Sequence, residues 1–289
     1  MSEWRSSEAA RGLALVGPTL LYAVAMLAVP LGAVLVYSFL TDGYLTIIPE
    51  FTLANYAEVF SDPIYRQVMA RSLGVALAVT VATVVLAYPV AYFVAFHVRP
   101  ERRSLWLFLI TIPFWTSYLI RVFLWKVILG YNGVVNATLT GLGIIDEPLT
   151  FILYNVNAVV ITLAHAYAPF AILPIFVALG KIDRTLLEAA QDLGESRLAT
   201  FLRVTLPLSV PGVVAAVLIV FIPTVGDYVT PRLVGGPEGR MIANIIQLQY
   251  LRLDNYPLGS ALAVTAMAIV TVIAVGFVLS LRRYLRVRQ

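Results

Sequence analysis

Six apolar stretches separated by polar segments dominate the pattern of this chain. Four of them contain no Asp, Glu, Lys or Arg, and they cover residues 13–39, 72–96, 151–180 and 257–281. Two more, 104–129 and 208–234, have comparable lengths but include charged residues. A bilayer takes ~20 apolar residues per helix, whereas barrel strands take ~10 residues of alternating polarity. The pattern therefore predicts an all-α integral membrane protein, with six transmembrane helices in a single transmembrane domain, 1–289.

The polar segment 181–207 lies between the fourth and fifth stretches and predicts a short helix. Its sequence Thr185-Leu-Leu-Glu188 fits a capping box, in which the Thr hydroxyl and the Glu carboxylate bond free amides at a helix start. The acids Glu188, Asp192 and Glu195 recur at helical spacing, so we expect them on one face.

The second half of this segment predicts a turn and another amphipathic stretch. Gly194 permits a left-handed turn or a close backbone approach after the helix, and the stretch runs from there to Leu206-Pro207. One interpretation is an ordinary connector, in which Glu188 only caps its helix. The other interpretation is that a partner outside the membrane binds this segment, which would explain why a polar helix–turn–helix lies between two spans.

Composition supports a membrane protein and argues against several kinds of site. Hydrophobic residues make up 60% of the chain, charged residues 12%, and the mean hydropathy is +0.88. The chain has no cysteine, which excludes disulfides and thiolate metal sites. Its Gly180-Lys181 pair lacks the rest of a phosphate-binding loop. We therefore expect no enzyme activity, no cofactor and no metal site in this chain.

The distribution of basic residues predicts the orientation. Thirteen of the 20 Lys and Arg residues lie on the side that would hold both termini and segment 181–207, and five lie on the opposite side. By the positive-inside rule, both termini and this segment are cytoplasmic. Residues 41–68, 131–150 and 232–256 then face outward. The net charge of +4 is in this interpretation a signal of topology rather than a nucleic-acid patch.

Asp227 is the most informative charge inside the predicted spans, because burying an ionised group there costs ~3 kcal/mol or more. Pro223 and Gly226 precede it, so we expect the fifth span to be kinked or broken near this carboxylate. With Tyr228 beside it, Asp227 could hold an ammonium group through a charge-assisted hydrogen bond and a cation–π contact.

The third span offers a second set of candidates, Trp115, Tyr118 and Arg121. Each is three residues from the next, so they are expected to share one helix face. Together with Asp227 and Tyr228 they are candidates for a translocation path or gate. The structural alternative is an Arg121–Asp227 ion pair that joins two helices without touching cargo.

Segment 181–207 resembles the cytoplasmic signature of ABC importer permeases, which reads Glu-Ala-Ala, three residues, Gly, nine residues, then Ile-x-Leu-Pro. The matching residues are Glu188, Ala189, Ala190, Gly194, Leu206 and Pro207, with Val204 in place of the usual Ile. The resemblance implies that this coupling loop (residues 181–207), which includes Asp192, docks on an ATP-hydrolysing subunit. It also implies the type I ABC importer permease fold, with a coupling helix between spans 4 and 5.

Two further blocks resemble the polyamine branch of these permeases, which imports spermidine and putrescine. They comprise residues 113–121 with 129–133, and 226–236 with 241–244 and 254–257. Permeases for opines, aminophosphonates and ferric ions share parts of these blocks and remain alternatives. The alternative from another class is a secondary transporter driven by an ion gradient. It would need more titratable residues within the spans than this chain has.

The resemblance implies a complex in the bacterial inner membrane, in which this chain is a multi-pass subunit that works by alternating access. Two ATP-binding cassette subunits would bind ATP and magnesium. A second, homologous permease would complete a heterodimer, and a periplasmic or lipid-anchored binding protein would deliver a small cationic substrate. Membrane lipids surround such a subunit, and no nucleic acid is expected as a partner.

Overall fold

A computed structural model describes residues 8–43 and 46–282. The predicted cytoplasmic residues Arg5, Arg283, Arg286 and Arg288 lie outside them. The first half of the described chain contains α1 (Glu8–Tyr37), β1 (Leu40–Gly43), β2 (Thr46–Phe51), α2 (Ala54–Ser61), α3 (Pro63–Phe96), α4 (Pro100–Thr111), a 3-10 helix (Ile112–Trp115), α5 (Tyr118–Ile128) and α6 (Val134–Gly141). The second half contains α7 (Val156–Gly180), α8 (Arg184–Asp192), α9 (Arg197–Thr200), a π-helix (Phe201–Thr205), α10 (Leu206–Val225), α11 (Val229–Val234), α12 (Ile242–Leu251) and α13 (Tyr256–Ser280).

Within the described residues, five helices are long and apolar enough to cross a membrane, and a bent pair makes a sixth candidate. The five run over Ala14–Tyr37, Pro63–Phe96, Val156–Gly180, Arg197–Val225 and Tyr256–Ser280. A mostly helical chain with up to six spans, and with a short helix between the fourth and fifth, is the architecture expected from the apolar pattern.

The third apolar stretch is not one straight helix, which corrects the sequence prediction. Two helical pieces, Pro100–Trp115 and Tyr118–Ile128, meet at an angle of 86°. Thr116 has an extended backbone (φ −89°, ψ 147°), which interrupts the helical hydrogen bonds. Trp115 and Tyr118 therefore lie on different helices, so the shared face predicted for them was wrong.

The fifth apolar stretch is broken near Asp227, as predicted. Helix α10 ends at Val225, and the short helix α11 begins at Val229. At the other end, the helix extends further than expected, because α9, the π-helix and α10 are continuous from Arg197. Leu206-Pro207 therefore lies inside a long helix and does not end an amphipathic stretch.

The polar residues of α3 show how a buried helix satisfies its hydroxyl groups at membrane depth. Thr80 donates to the Ala76 carbonyl at 2.7 Å, and Thr83 donates to the Val79 carbonyl at 2.6 Å. Each bond returns to the preceding turn, so neither hydroxyl needs water. These residues are compatible with a membrane span although they are polar.

Helices α3, α7 and α10 pack together around a core in which Val79, Leu163, Ile175 and Val220 are fully buried. Gly212 is a point of close approach between α10 and α7. A Cβ atom added there would lie 2.5 Å from the Ala178 Cβ and 2.6 Å from the Pro174 carbonyl. Small residues at such crossings let helices associate by van der Waals packing, which replaces hydrophobic burial inside a membrane.

The described residues pack as two compact units, one within residues 1–62 and 246–265 and the other within residues 63–245 and 266–289. In the first unit, strands β1 and β2 form an antiparallel hairpin, and the buried Asn55 side chain donates to the carbonyls of Ser38 (3.1 Å) and Leu40 (2.8 Å). The second unit contains the helical core, the coupling loop and the candidate path residues. The expectation of a single transmembrane domain stays a prediction.

Candidate functional site

The coupling loop begins with a helix cap that the sequence analysis placed two residues too late. The Asp183 carboxylate accepts a hydrogen bond from the Thr185 amide at 3.0 Å, and α8 starts at Arg184. Asp183 is therefore the N-cap, and the predicted capping box of Thr185 and Glu188 was wrong. The Thr185 amide, followed by its hydroxyl, holds the pKa of the Asp183 carboxyl below its usual range.

The end of α8 explains why a glycine stands at position 194. Gly194 has a left-handed backbone (φ +86°), and its amide donates to the Gln191 carbonyl at 2.9 Å. The Glu195 amide donates to the Ala190 carbonyl at 3.1 Å. This pair of bonds is a Schellman motif, which satisfies carbonyls at a helix end and favours glycine. The predicted left-handed turn is confirmed.

The signature residues of the coupling loop divide into an exposed set and an inner set. Glu188, Ala189, Asp192 and Gly194 are exposed, whereas Ala190 is buried. Leu206 and Pro207 are partly buried, in the first turn of α10. A single local motif therefore supplies two kinds of residue: some are available to a partner, and others hold the loop on its own subunit.

Glu195 does not share the helical face of the other acids. Helix α8 ends at Asp192, and the Glu195 carboxylate forms an ion pair with Arg203 of the π-helix. The pair lies at the surface, where ion pairs contribute little to stability, about 0–1 kcal/mol. The expected face of three acids is reduced to Glu188 and Asp192.

Large apolar side chains are also exposed on the coupling loop. Leu193, next to the Gly194 turn, is 87% exposed, and Leu198 is 67% exposed. Leu186 on α8 is 48% exposed. An apolar group next to exposed acids in a polar segment is typical of a surface that another protein covers.

The Asp227 carboxylate is held by groups of its own subunit. One oxygen accepts from the amides of Val229 (2.9 Å) and Thr230 (3.3 Å), and so caps α11. The other oxygen accepts from the Tyr118 hydroxyl at 2.6 Å. Asp227 is only 8% exposed. The carboxylate therefore joins α11 to α5 across the two broken spans.

Thr230 completes this arrangement. Its hydroxyl lies 2.6 Å from the Tyr118 oxygen. Because Tyr118 has one proton and gives it to Asp227, Thr230 is the donor in this second bond. Sequence reasoning missed Thr230. The signal that could have found it is the sequence Asp227-Tyr-Val-Thr-Pro231, because an Asp shortly before a helix that contains Pro in its first turn is a usual signal of a helix start.

Arg121 makes no ion pair with Asp227 or with any other carboxylate of the described chain. Its guanidinium carbon lies 5.0 Å from the centre of the Phe114 ring and 5.9 Å from that of Tyr118. Its Nε atom is buried without a hydrogen-bond partner in the described residues. Tyr118 therefore contacts both charged residues, through its ring and its hydroxyl, but Arg121 and Asp227 do not form the predicted alternative, a direct pair.

The two remaining candidates are more exposed. Trp115 is 73% exposed and packs edge-on against Phe108 at 5.3 Å, whereas Tyr228 is 43% exposed. The Tyr228 carbonyl accepts from the Asn244 side chain at 2.8 Å. The structure thus brings Tyr118, Arg121 and Asp227 together, while among the described residues no hydrogen bond or ring contact joins the Trp115 or Tyr228 side chain to them.

No group of three His, Cys, Asp or Glu side chains that could hold a metal ion occurs among residues 8–43 and 46–282. His165 contributes instead to an aromatic contact, since its Nδ1 accepts from the Trp125 indole at 3.1 Å. The expectation that the chain holds no metal or cofactor stays a prediction.

Comparison with known proteins places this geometry in a family. Residues 87–287 match the family described as "Binding-protein-dependent transport system inner membrane component". The chain is 39% identical over 216 residues to the spermidine/putrescine transport system permease protein PotB of Salmonella typhimurium (strain LT2), covering 74% of each chain. It is 38% identical over 233 residues to PotB of Haemophilus influenzae, covering 80% of each.

Among solved structures, the chain is similar to one in a bacterial ABC transporter that imports the acidic polysaccharide alginate. The TM-score is 0.73, at 18% sequence identity, over 96% of this chain and 95% of the other. At this identity the likeness shows the fold alone. The predicted type I ABC importer permease fold is confirmed, with α8 between the fourth and fifth spans.

Proposed function

Because the chain belongs to the family of binding-protein-dependent transport system inner membrane components, we propose that it is the first of two different permeases of a spermidine and putrescine importer. The chain is the permease component of an ABC importer and supplies part of the membrane path. The polyamine cargo is inferred from the PotB relatives, which match most of the chain. The family alone does not specify that cargo.

The coupling loop carries the proposal for an ATPase partner. The single supporting observation is the exposed end of α8, where Leu193 stands beside the left-handed Gly194 and near Glu188 and Asp192. An apolar side chain between acids, on a rigid helix end, suits a groove on another protein that is apolar inside and basic at its rim. That protein would be one of two ATP-binding cassette subunits, which would bind ATP and magnesium.

The inner residues of the same motif would hold the loop in position. Ala190 is buried and leaves space for α8 to lie close to its own subunit, and its carbonyl is bonded in the Schellman motif. Leu206 and Pro207 lie where the loop joins α10. We expect substitutions at these positions to displace the loop, whereas Glu188, Ala189 and Asp192 would contact the partner directly.

The cargo path is proposed to run past Asp227 and Tyr118. A carboxylate at membrane depth attracts an ammonium group over several ångströms, because little solvent screens the two charges. Tyr228 is half exposed and offers an aromatic face. Arg121 and Trp115 would border the path, with Arg121 held on the Phe114 ring rather than paired.

Orientation and assembly complete the proposal. Both termini and the coupling loop would be cytoplasmic, in the inner membrane of a bacterium, where an ATPase subunit can reach Gly194. A second, homologous permease would form a heterodimer with this chain. A periplasmic or lipid-anchored binding protein would deliver the cation from the other side.

One experiment tests the transport proposal. The chain is co-expressed with a candidate partner permease, ATPase subunit and binding protein, and the purified complex is reconstituted in liposomes. We expect co-purification of the ATPase subunit and ATP-driven uptake of labelled spermidine, competed by putrescine. Uptake driven by a proton or sodium gradient without any ATPase would contradict the proposal, as would competition by an opine, an aminophosphonate or ferric ion but not by putrescine.

The orientation is tested separately, with single cysteines in this cysteine-free chain. Gln191 on α8 and Ala57 on α2 are both exposed, so a cysteine at either position can react. With an impermeant thiol reagent in cells with a permeable outer membrane, Ala57→Cys should be labelled and Gln191→Cys should be protected until the inner membrane is opened. The reverse result would place the coupling loop outside, beyond reach of an ATPase.

A further inference from the structure

The end of α3 that lies next to the coupling loop makes an aromatic contact with the π-helix. The ring of Phe201, the first residue of the π-helix, packs edge-on against Tyr88 (5.8 Å, 87°) and Tyr92 (5.9 Å, 79°). Edge-to-face packing at these distances fixes the relative positions of rings. The residue that follows α9 is thereby held on the surface of α3.

Tyr88 also makes a partly buried hydrogen bond to α10. The Tyr88 hydroxyl is 2.8 Å from the Ser209 hydroxyl, and the Ser209 hydroxyl donates to the Leu206 carbonyl at 2.9 Å. Because Ser209 has one proton and gives it to the carbonyl, Tyr88 is the donor to Ser209. Ser209 is fully buried, so in the packed state Tyr88 takes the place of water as its partner.

The π-helix, which begins at Phe201 and ends at Thr205, before Ser209, is a point where the long helix can bend. The Leu206 amide donates to the Phe201 carbonyl, five residues earlier. Pro207 has no amide proton, and its ring would clash with the carbonyl of residue 203 in a regular α-helix. A wider turn avoids that clash. Such turns are uncommon, and they occur at functional sites and at helix bends.

The start of the coupling helix reaches the same end of α3. The Arg184 side chain, on the first residue of α8, donates to the Phe96 carbonyl at 3.4 Å. Arg103 of α4 donates to the neighbouring Ala95 carbonyl at 2.7 Å. Cations at the last carbonyls of a helix are favourable because of the partial negative charge there. The end of α3 is therefore connected to both ends of the coupling loop.

From these contacts we propose that the Tyr88–Ser209 hydrogen bond and the Phe201 ring transmit movement of the coupling loop to α3. The loop is continuous with α10, so α10 must follow it, and α3 follows only if contacts across the helix–helix surface hold. Tyr88, Ser209 and Phe201 are then positioning residues, which act on the path without touching cargo. This inference rests on the proposed function, in which an ATPase subunit moves the loop.

The test uses the complete reconstituted complex, with spermidine as cargo, and measures the number of molecules imported per ATP hydrolysed. Tyr88→Phe and Ser209→Ala should each lower this ratio about five-fold, since a buried hydrogen bond contributes ~1 kcal/mol. Tyr92→Phe is the matched control. It also loses one hydroxyl and keeps its ring on Phe201, but that hydroxyl makes no hydrogen bond in the described chain. It should behave like the wild type.

The double variant Tyr88→Phe with Ser209→Ala makes the result specific. Because both substitutions remove the same bond, the double variant should be no worse than either one alone. Unchanged ratios in the single variants would overturn the inference, while spermidine uptake by the wild type would leave the proposed function intact. Parallel loss of uptake, ATP hydrolysis and melting temperature would also overturn it, because it indicates a purely structural bond. A wild-type complex without ATP-driven uptake would overturn the proposed function itself.

Discussion

The coupling loop and the Asp227 site use their carboxylates in opposite ways. Glu188 and Asp192 stand exposed on α8, which is held by its cap, its Schellman motif and its inner residues. Asp227 is almost fully buried and accepts three hydrogen bonds from Tyr118, Val229 and Thr230. One region leaves its charged groups available to a partner, while the other uses its charged group to join two helices.

Substitutions in the two regions therefore report on different properties of the protein. In the coupling loop, a variant can lose the partner contact while the subunit still folds, because the exposed groups do not support the core. At Asp227 the carboxylate that could attract cargo also holds α11 and α5 together. A variant there can therefore lose transport either because the charge is gone or because the subunit is less stable. Each region needs its own kind of control.

The largest effect is expected for Gly194→Val, which should abolish uptake while membrane insertion and assembly with the partner permease persist. A β-branched residue does not adopt φ +86° without strain, so the turn that presents the end of α8 is lost. Nothing lies within 4 Å of an added Cβ, so the effect comes from the backbone and not from a clash. Uptake and cargo-stimulated ATP hydrolysis in liposomes measure it.

Gly180→Val is the matched control, because Gly180 also has open space around it but lies in the helical region at the end of α7. It should retain most of the uptake. Normal uptake and normal stimulated ATP hydrolysis in Gly194→Val would show that the turn is not part of the coupling contact.

The second-largest effect, a loss of stability, is expected for Asp227→Ala, which removes the cap of α11 and the hydrogen bond from Tyr118. A lost cap costs ~1 kcal/mol and a lost hydrogen bond to a charged group costs ~1.5–3 kcal/mol, so the free energy of unfolding should fall by roughly 2.5–4 kcal/mol. The melting temperature of the purified subunit in detergent measures this loss. Asp146→Ala, at an exposed acid of the 131–150 segment, should leave the melting temperature unchanged.

Asp227→Asn separates charge from structure at the same position. Its amide oxygen can still cap α11, so it should be more stable than Asp227→Ala. If the charge attracts a cationic cargo, spermidine uptake should still fall clearly. Wild-type uptake by a stable Asp227→Asn variant would remove Asp227 from the proposed path.

A smaller effect on stability is expected when Arg121 is neutralised in the Asp227→Ala variant. The structure shows no ion pair between Arg121 and Asp227, so Arg121→Gln should not restore the stability lost in Asp227→Ala. In a double-mutant cycle we expect a coupling energy well below the ~3–5 kcal/mol lost when one partner of a buried ion pair is removed. Restored assembly and uptake in the double variant would mean that the two residues do pair in the complete transporter.

The two regions also differ in how far the sequence predicts them. The bonds that form the cap and the turn of the coupling helix join residues at most five positions apart, such as Gly194 with Gln191, so a local motif identified the turn. Its start was misplaced because Thr185 and Glu188 fit a capping box, while Asp183 two residues earlier is the residue that caps the helix. Local patterns locate such an element but leave its ends uncertain.

The Asp227 site depends on contacts that no local pattern contains. Tyr118 and Asp227 are 109 positions apart, and they meet only because both spans are broken near them. Pro223 and Gly226 indicated the second break in the sequence, whereas Pro113, three residues before the extended backbone at Thr116, is a break signal that the sequence prediction did not use. The face predicted for Trp115 with Tyr118 failed for that reason, whereas Tyr118 and Arg121 lie together on α5.

The smallest effect concerns Asp183, the cap of α8. Its pKa is lowered in the folded protein, so its contribution to the stability of α8 is complete above the usual pKa of the carboxyl group. That contribution is lost as the pH falls through the lowered, folded pKa. Hydrogen exchange of the α8 amides, corrected for intrinsic rates, should therefore show protection that is constant near pH 7 and declines below about pH 4. In Asp183→Asn the cap has no titrating group and this decline should be absent, whereas Asp192→Asn, at an exposed acid that caps nothing, should keep it. An identical decline in Asp183→Asn would mean that another group controls the start of the coupling helix.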